Sequence, residues 1–232
     1  MNLVKKNFKK KKLIYVDFYT NTVELIKYIQ KPFIIQRLFT ENKILFRNNK
    51  IFPFKIFLVK KDIDLNKYLK NNPALAISIG ISIIFKKKVI SKYTCGIWNI
   101  HPGDLPKYRG RHPITAAFLN NERRIGITVH SIDHKIDMGM MLAKMFVKRN
   151  LIDDDTSIKK KIFKKVPIIL NKSLKNFLNK KTKKISKGKY HKPFFNGIRI
   201  ANSKKFSKTY IYNAIKAQKS YGGIFINYEK FI

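Results

Sequence analysis

The sequence has a single cysteine, Cys95, in 232 residues. An intramolecular disulfide and a cysteine-rich metal site are excluded, because both need more than one thiol. The longest apolar stretch, residues 74–85, is interrupted by Ser78, Gly80 and Ser82 and is too short for a transmembrane helix. The basic start of the chain lacks the apolar run of a signal peptide. We therefore expect a cytoplasmic protein without a membrane partner.

Glycine is also scarce at the start, and the first one in the chain is Gly80. A dinucleotide site needs glycine at its first strand–helix turn, so that the backbone can approach a pyrophosphate. Residues 13–30, which should form that turn, contain none, and the phosphate-binding pattern GxxxxGK(S/T) does not occur. NAD and ATP are therefore not expected as cofactors.

Acidic residues are few: 13 Asp and Glu face 51 Lys and Arg, which gives a net charge of +38. A field of this strength favours polyanionic partners such as nucleic acid and says little about the fold. The excess is mostly lysine and comes with many Ile, Asn and Phe, which AT-rich codons encode. Biased coding and selected nucleic-acid binding both stay open as its cause.

The first half of the chain alternates apolar runs with segments of helical period. Strands are predicted over 13–18, 74–79 and 96–100, and helices over 21–30 and 81–91. This alternation predicts an α/β fold with a Rossmann-like, mostly parallel sheet flanked by helices.

The second half predicts strands over 125–132 and 140–148 and a long helix after Asp155, with a kink at Pro167. The chain is predicted to divide into three parts. These are a basic tail over 1–12, a domain large enough for catalysis over 13–182, and a linker with a small C-terminal α+β subdomain over 183–232.

The rarer residue types gather in about forty positions of the middle of the chain. Four of the five histidines are His101, His112, His130 and His134, and five of the ten glycines lie between 96 and 139. Chemistry needs these residue types, so a functional site is expected in this region.

Asn99 and His101 lie two residues apart at a predicted strand end and therefore share one face of the sheet. Pro102 and Gly103 end the strand, which places the pair at the carboxyl edge, where open α/β sheets bind ligands. Asn offers an amide donor, and His a proton near neutral pH, which a carboxylate such as Asp133 or Asp137 would support. The alternative is that the pair only caps the strand.

A metal site is not expected. His130 and His134 have a His-x-x-x-His spacing, but Ser131 replaces the Glu of a zinc peptidase, and in a strand such positions lie about 13 Å apart. His130 is interpreted as a satisfied strand residue, and His112 and His134 as loop residues near a pocket.

The sequence resembles the 10-formyltetrahydrofolate-dependent formyltransferases. The residues that carry the resemblance are Asn99-Ile100-His101-Pro102, Leu105-Pro106-Lys107-Tyr108-Arg109-Gly110, Gly126-Ile127-Thr128, Asp133, and Ile136-Asp137-Met138-Gly139. Ser78-Ile79-Gly80-Ile81-Ser82-Ile83-Ile84 is similar to the family's folate-binding strand and loop. Near the C-terminus, 211–217 and 221–225 are similar to the start of a small domain that several members carry.

The resemblance implies the formyltransferase fold, 10-formyltetrahydrofolate as formyl donor, and a catalytic triad of Asn99, His101 and Asp137. It implies donor-binding residues Ile79, Gly80, Ile81, Ser82, Ile83 and Asp133. It also implies acceptor-binding residues Pro102, Gly103, Lys107, Tyr108, Arg109 and Arg111.

The acceptor is less clearly indicated than the donor. The run Lys107 to Pro113 is most similar to members that act on nucleotide-linked amino sugars, and Arg109 and Arg111 suit a carboxylate or phosphate. Either arginine could instead bond loop carbonyls. The net charge suits tRNA, so methionyl-tRNA and other small amines stay as alternative acceptors.

Two departures from the family keep other functions open. The first 70 residues match it poorly, and His134-Lys135 stands where many members have an acidic residue and a glycine. Deformylation of the folate, an inactive relative, and a non-catalytic RNA-binding protein on this scaffold are the alternatives. The segment 190–195 interleaves aromatic and basic residues and could stack RNA bases or pack the C-terminal piece. The oligomeric state is left open.

Overall fold

The computed structural model describes residues 13–60, 65–71, 73–194, 197–200, 202–227 and 229–231. The basic tail predicted over 1–12 lies outside the described residues.

Eight strands form one sheet in the order β3-β2-β1-β4-β5-β6-β7-β8. Their bounds are β1 Ile14–Thr20, β2 Phe33–Thr40, β3 Lys55–Leu58, β4 Leu75–Ile79, β5 Ile97–His101, β6 Arg124–Ser131, β7 Met140–Lys148 and β8 Lys183–Lys184. The pairs β1/β2, β1/β4, β2/β3 and β4/β5 are parallel, and β7/β8 is antiparallel. The predicted mostly parallel α/β sheet is confirmed.

The apolar runs of the sequence form the middle of this sheet. All five residues of β4 are buried, which is typical of a parallel strand covered on both faces. The strand order reverses between β1 and β4, and the carboxyl ends of β1, β4 and β5 meet at one edge because these strands are parallel. Open α/β sheets bind their ligands at such a reversal, and both Gly80 and the end of β5 lie at this edge.

The α-helices with both bounds in the described part of the chain are α1 Lys43–Arg47, α2 Lys87–Ile90, α3 Pro113–Leu119, α4 Asp155–Leu178 and α5 Lys208–Gln218. The longest, α4, continues through Pro167. Its buried stripe repeats at helical spacing and consists of Ile158, Ile162, Val166, Ile169 and Leu170. No helix in the described part of the chain is long and apolar enough to cross a membrane.

Two predicted helices are much shorter than expected. The segment predicted over 21–30 forms a 3₁₀ helix at Val23–Tyr28, and its first residues receive no side-chain cap. The segment predicted over 81–91 is helical only at Lys87–Ile90. Residues 81–85 alternate between partly or fully buried and exposed positions, as in an extended chain. Three isoleucines in this stretch are β-branched and disfavour a helix.

Many of the acidic side chains that the structure describes are paired with arginine or lysine. Asp17 lies fully buried in β1, and Arg37 binds it through two nitrogens at 2.6 and 2.8 Å. Six further pairs join Asp104 to Lys144, Glu122 to Lys107, Asp133 to Lys184, Asp153 to Lys161, Asp154 to Lys219 and Asp155 to Lys159.

The chain divides into two compact units. The first takes the described residues of Met1–His101, Val129–Ala143 and Val166–Ile185, and the second Pro102–Thr128, Lys144–Lys165 and Ser186–Ile232. The second unit holds a small sheet of β9 Ile198–Ile200, β10 Ile224–Ile226 and β11 Glu229–Phe231. A core of Ile198, Ile200, Ala214 and Ile224 supports it. The sequence-based division at 182/183 stays a prediction.

Candidate active site

The end of β5 carries two of the three predicted triad residues. Asn99 and His101 alternate with buried Ile100, so their side chains share one face of the sheet. The pairing of Ser78 with Asn99 sets the register of β5 against β4. His101 is 4% exposed, and Trp98 before it is completely buried between Phe33 and Phe177. β5 is therefore packed tightly on the face opposite to Asn99 and His101.

Asp137 lies in the turn between β6 and β7, and its backbone is left-handed, with φ of 53°. Non-glycine residues seldom adopt this conformation, and Asp and Asn tolerate it best. The turn is closed tightly behind it. The Met140 amide donates to Ser131 Oγ at 2.9 Å, and a Cβ on Gly139 would lie 1.7 Å from the Ser131 carbonyl oxygen. Only glycine fits there, so Gly139 determines how this turn presents Asp137.

The three predicted catalytic residues come together within the first unit. Asp137 Oδ1 lies 3.8 Å from His101 Nδ1, and the two side chains are only 10% and 5% exposed. A carboxylate at this distance orients an imidazole and favours its protonated form. The arrangement combines an amide donor, an imidazole and a carboxylate at the carboxyl edge of a parallel sheet, which suits stabilisation of an oxyanion with proton transfer.

A fourth polar side chain, which the sequence interpretation did not select, lies among them. His130 on β6 is 2% exposed, and its Nε2 is 3.2 Å from Asn99 Nδ2 and 3.6 Å from Asp137 Oδ1. The crowding of rare histidines pointed to this region. However, a single sequence does not show which strands pair, so nothing placed His130 beside Asn99.

The predicted donor-binding segment follows β4. Ile79 is buried at the strand end, and Gly80 turns the chain with φ of +63°. Ile81 and Ile83 are partly buried against a core cluster that includes Tyr19 and Phe39. The segment therefore presents apolar side chains and backbone groups at the edge of the sheet.

The Ser82 amide in this segment donates to Glu41 Oε2 at 2.8 Å. The same carboxylate oxygen accepts a hydrogen bond from Asn21 Nδ2 at 2.9 Å. Glu41 and Asn21 follow β2 and β1, so residues at three strand ends hold the segment in place. Neither was selected from the sequence.

Asp133, also predicted to bind the donor, forms an ion pair in the structure. Lys184 Nζ lies 2.6 Å from its Oδ2, and the His134 amide donates to Oδ1 at 2.7 Å. These hydrogen bonds hold the pKa of Asp133 well below its usual range. Its carboxylate is therefore ionised and anchored to β8.

Most of the predicted acceptor-binding side chains hold their own loop. The Gly103 carbonyl accepts from Thr128 Oγ1 at 2.7 Å, and Pro102 is partly buried beside it in the chain. Tyr108 is buried and donates to Glu122 Oε1 at 2.7 Å, the same oxygen that Lys107 Nζ reaches at 2.5 Å. Burial and this carboxylate raise the pKa of the Tyr108 hydroxyl.

The two arginines of this loop differ. Arg109 Nη1 donates to the Gly188 carbonyl at 3.1 Å, and its backbone bonds the chain at Lys189 and His191. Arg111 is exposed. His112 is buried, and its Nδ1 accepts from the Phe194 amide at 2.9 Å. Arg111 is thus the arginine best placed to meet a ligand from solvent.

No group of three or more His, Cys, Asp or Glu among the described residues could hold a metal ion. His134, of the His-x-x-x-His spacing, is exposed and bonds Asp133 instead. The absence of a metal site stays a prediction.

Several curated proteins and solved structures similar to this chain are named formyltransferases. The chain is 33% identical over 136 residues to methionyl-tRNA formyltransferase of Borrelia garinii subsp. bavariensis, which covers 58% of this chain and 41% of that protein. It is 32% identical over 116 residues to the bifunctional polymyxin resistance protein ArnA of Wigglesworthia glossinidia brevipalpis, or 50% and 18% of the two chains. The chain thus spans about two fifths or less of the length of these relatives.

Two solved structures share the fold over most of the chain. A 4-N formyltransferase from Francisella tularensis superposes with a TM-score of 0.75 at 19% identity, covering 92% of both chains. WlaRD, a sugar 3N-formyl transferase crystallised with dTDP and 5-N-formyl-THF, gives 0.66 at 20% identity and covers 95% of this chain and 85% of that one.

A model of the formyl transferase family matches residues 34–174, which is more than half of the chain. This range holds Asn99, His101 and Asp137 as well as the donor-binding and acceptor-binding residues predicted from the resemblance. The recognition made from the sequence is confirmed, and the chain belongs to the formyl transferase family.

Proposed function

We propose that this protein transfers the formyl group of 10-formyltetrahydrofolate to the amino group of a nucleotide-linked amino sugar. The observation that carries the proposal is the meeting of Asp137 Oδ1 with His101 Nδ1 at 3.8 Å, on the strand that also carries Asn99. The family supports the reaction type and the folate donor, and the finer choice of acceptor depends on further arguments.

The reaction needs one bond to form and one to break. The acceptor amine attacks the formyl carbon, and the carbon–N10 bond of the folate then breaks, which leaves tetrahydrofolate. The amine loses one proton and N10 gains one. The formyl oxygen carries negative charge between these steps, so donors aimed at it lower the barrier.

Each triad residue has a separate part in this scheme. The amide of Asn99 and the imidazole of His101 donate to the developing oxyanion. Asp137 orients His101, supports its positive charge, and takes part in moving the proton from the amine to N10. Burial of His101 and Asp137 strengthens these interactions, because little water competes with them.

The donor is proposed to bind at Ile79, Gly80, Ile81, Ser82 and Ile83, with Asp133 fixing the adjoining turn. A pteridine ring is flat, with apolar faces and a polar edge. Partly buried isoleucines suit the faces, and the backbone groups of a glycine turn suit the edge. The residues at this strand end therefore fit a folate.

Fold similarity supports the amino-sugar acceptor. WlaRD, which is described as a sugar 3N-formyl transferase, superposes on 95% of this chain. Within the 102–113 loop, Arg111 is proposed to bind a phosphate of the acceptor. Lys107, Tyr108 and Arg109 then contribute by holding the shape of the loop.

Methionyl-tRNA is the second candidate acceptor. Curated relatives at 33% identity are named methionyl-tRNA formyltransferase, and a net charge of +38 would attract an RNA backbone. The charge alone does not decide between the acceptors, because a coding bias towards lysine would produce the same charge on any enzyme.

The test follows tetrahydrofolate release from 10-formyltetrahydrofolate by the purified protein. The acceptor panel contains nucleotide-linked amino sugars, charged initiator tRNA and glycinamide ribonucleotide, and the variant Asp137→Asn is measured alongside. We expect release that needs an amino-sugar nucleotide and that the variant lacks.

Other outcomes would replace the proposal with a specific alternative. Release only with tRNA would establish the second candidate, and release without any acceptor would indicate folate deformylation. A protein that binds no folate, and whose salt-dependent RNA binding survives His101→Ala, would be a non-catalytic RNA-binding relative.

A further inference from the structure

His130 is the buried titratable residue of the site to which the proposed mechanism gives no part. Its Nδ1 lies 2.9 Å from the carbonyl oxygen of Ser131. A carbonyl oxygen only accepts hydrogen bonds, so Nδ1 must carry the hydrogen. The backbone of β6 therefore selects the tautomer in which Nε2 has a lone pair.

The other ring nitrogen faces Asn99. Nε2 of His130 lies 3.2 Å from the Asn99 amide nitrogen, which can only donate. The contacts with Ser131 and Asn99 agree on one neutral tautomer, which requires the amide nitrogen of Asn99 on this side. Asp137 Oδ1, 3.6 Å from Nε2, favours a protonated ring instead, and the first test below distinguishes the two states. Asn99 then gives one N–H to His130 and keeps its second N–H for another acceptor.

The orientation of this amide decides what Asn99 offers to a substrate. With its nitrogen held by His130, the second N–H can donate to a formyl oxygen. If the amide turned by 180°, its carbonyl oxygen would take that place and repel the developing oxyanion.

We propose that His130 is a positioning residue, which fixes the Asn99 amide with its donor side toward the reacting carbonyl. This inference rests on the proposed formyl transfer for its catalytic consequence. The ring reaches Asn99 through Nε2 and is held through Nδ1, so it acts through Asn99 and not on the substrate.

Protonation would undo this arrangement. A proton on Nε2 replaces an acceptor by a donor, which would face the Asn99 N–H and turn toward Asp137 Oδ1 at 3.6 Å. The groups that face His130 are Asn99 and His101 from β5, with ring centroids of the two histidines 6.3 Å apart, and Asp137 from the following turn. A pH dependence measured at this site must therefore be assigned to His101, His130 or Asp137.

The first test needs no catalysis. Long-range ¹H–¹⁵N spectra of the ¹⁵N-labelled protein at pH 7.5 report the tautomer of each histidine, and the spectrum of His130→Gln assigns the signal. We expect a neutral ring with hydrogen on Nδ1, and we expect Asn99→Ala to shift the Nε2 resonance. Hydrogen on Nε2, or an Nε2 signal that Asn99→Ala leaves in place, would overturn the proposal.

The second test separates positioning from packing with two variants. His130→Phe keeps a ring but removes the acceptor, and His130→Gln supplies an oxygen near the position of Nε2. We expect kcat of the Phe variant to fall by about 10- to 100-fold, less than the loss of a whole oxyanion donor. The Gln variant should recover most of it, with KM for the donor unchanged in both.

Two measurements keep this comparison interpretable. Binding of 5-formyltetrahydrofolate, which carries its formyl group on another nitrogen, reports an intact donor site, and thermal unfolding reports an intact fold. Equal kcat losses in both variants, or a Phe variant with the kcat of the wild type, would refute the positioning role. If the wild type transfers no formyl group to any acceptor, the proposed function fails, and the tautomer test still decides whether His130 orients Asn99.

Discussion

The polar side chains of the triad and those of the 102–113 loop make contacts of different length and kind. At the triad, the carboxylate of Asp137 lies 3.8 Å from the imidazole of His101 and 3.6 Å from that of the neighbouring His130. In the loop, Lys107 and Tyr108 close on one carboxylate oxygen at 2.5 and 2.7 Å. Groups that can exchange protons meet in the first region, whereas a fixed cation and a fixed hydroxyl meet in the second.

The two kinds of contact suit different roles in the proposed reaction. A short hydrogen bond between a cation and a carboxylate fixes the geometry of both groups and occupies the atoms that would otherwise contact a ligand. Facing titratable groups instead influence one another's protonation, which is what proton transfer requires. Lys107, Tyr108 and Arg109 therefore hold the loop together, whereas Arg111 is the loop residue that we propose as a ligand contact.

The largest expected effect comes from Asp137→Asn. Asn tolerates the left-handed backbone of this position, so the free energy of unfolding should stay within about 1 kcal/mol. Removing the charge should lower kcat by about 10²- to 10⁴-fold, as for the loss of a general acid–base group. Steady-state kinetics of tetrahydrofolate release measure it.

Glu24→Gln is the matched control for that change. Glu24 is exposed on the 3₁₀ helix after β1, and its change from carboxylate to amide should leave kcat unaltered. An equal loss in both variants would mean that net charge, and not the triad, determines the rate.

A second comparison uses two glycines whose added methyl group would meet a carbonyl oxygen. A Cβ on Gly139 would lie 1.7 Å from Ser131, behind the triad, and one on Gly110 would lie 2.4 Å from His191, in the loop. Both alanine variants should lose about 1–3 kcal/mol of stability in denaturant unfolding.

Only Gly139→Ala should also lower kcat at temperatures where the variant is folded, because it displaces the turn of Asp137. A kcat loss confined to Gly110→Ala would reverse the assignment of the two regions.

The third comparison contrasts the two arginines of the loop. Arg111→Ala should raise KM for the acceptor by about tenfold, which corresponds to the loss of one charge-assisted hydrogen bond. Arg109→Ala should mainly lower the melting temperature, because the Gly188 carbonyl loses its donor. Acceptor titrations and thermal unfolding distinguish them, and identical behaviour of the two variants would contradict the proposal for Arg111.

The smallest effect is a pH dependence of stability. Burial, together with the charges of Arg111 and Lys159, lowers the pKa of His112 below its ordinary value of 6.5. Between that value and the lower folded pKa, the unfolded chain binds a proton that the fold does not. Stability therefore falls as the pH drops from about 6.5.

His112→Asn removes this titration and keeps an acceptor for the Phe194 amide. Urea unfolding at pH 7.5 and 5.5 should show a smaller loss of stability for the variant than for the wild type. His191, whose pKa burial also lowers, titrates in both proteins and cancels in the difference. A loss that is the same in both proteins would remove His112 from the explanation.

The strands and the shared face of Asn99 and His101 followed from the sequence because their signals are local, whereas the choice of Asp137 over Asp133 came from the family resemblance. The apolar run of β4 is buried at every position, and the strand-end spacing of Asn99 and His101 placed both on one face. The turn glycine at 139 and the acid before it also stand close in the chain. The irregular segment after Gly80 did not follow, because isolated apolar residues fit a helix and an extended chain equally well.

The parts of the site that the sequence did not predict depend on contacts between residues that are far apart in the chain. His130 joins Asn99 across 31 positions, and Glu41 reaches the amide of Ser82 across 41. Strand order determines both contacts, and a single sequence carries no direct record of strand order. Glu122 was likewise not selected, so the loop cations next to it were interpreted as ligands.

The pairing of scarce acids with lysines has a consequence for how this protein can change. Each paired aspartate or glutamate forms an ion pair with one particular cation. Some lysines on α4 are instead exposed at ordinary surface positions, among them Lys164, Lys172 and Lys175. A selection for function on a randomised library should therefore keep the paired acids more constant than such lysines. The surplus charge could be engineered away one exposed lysine at a time, whereas the loss of a paired acid would leave its cation without a partner.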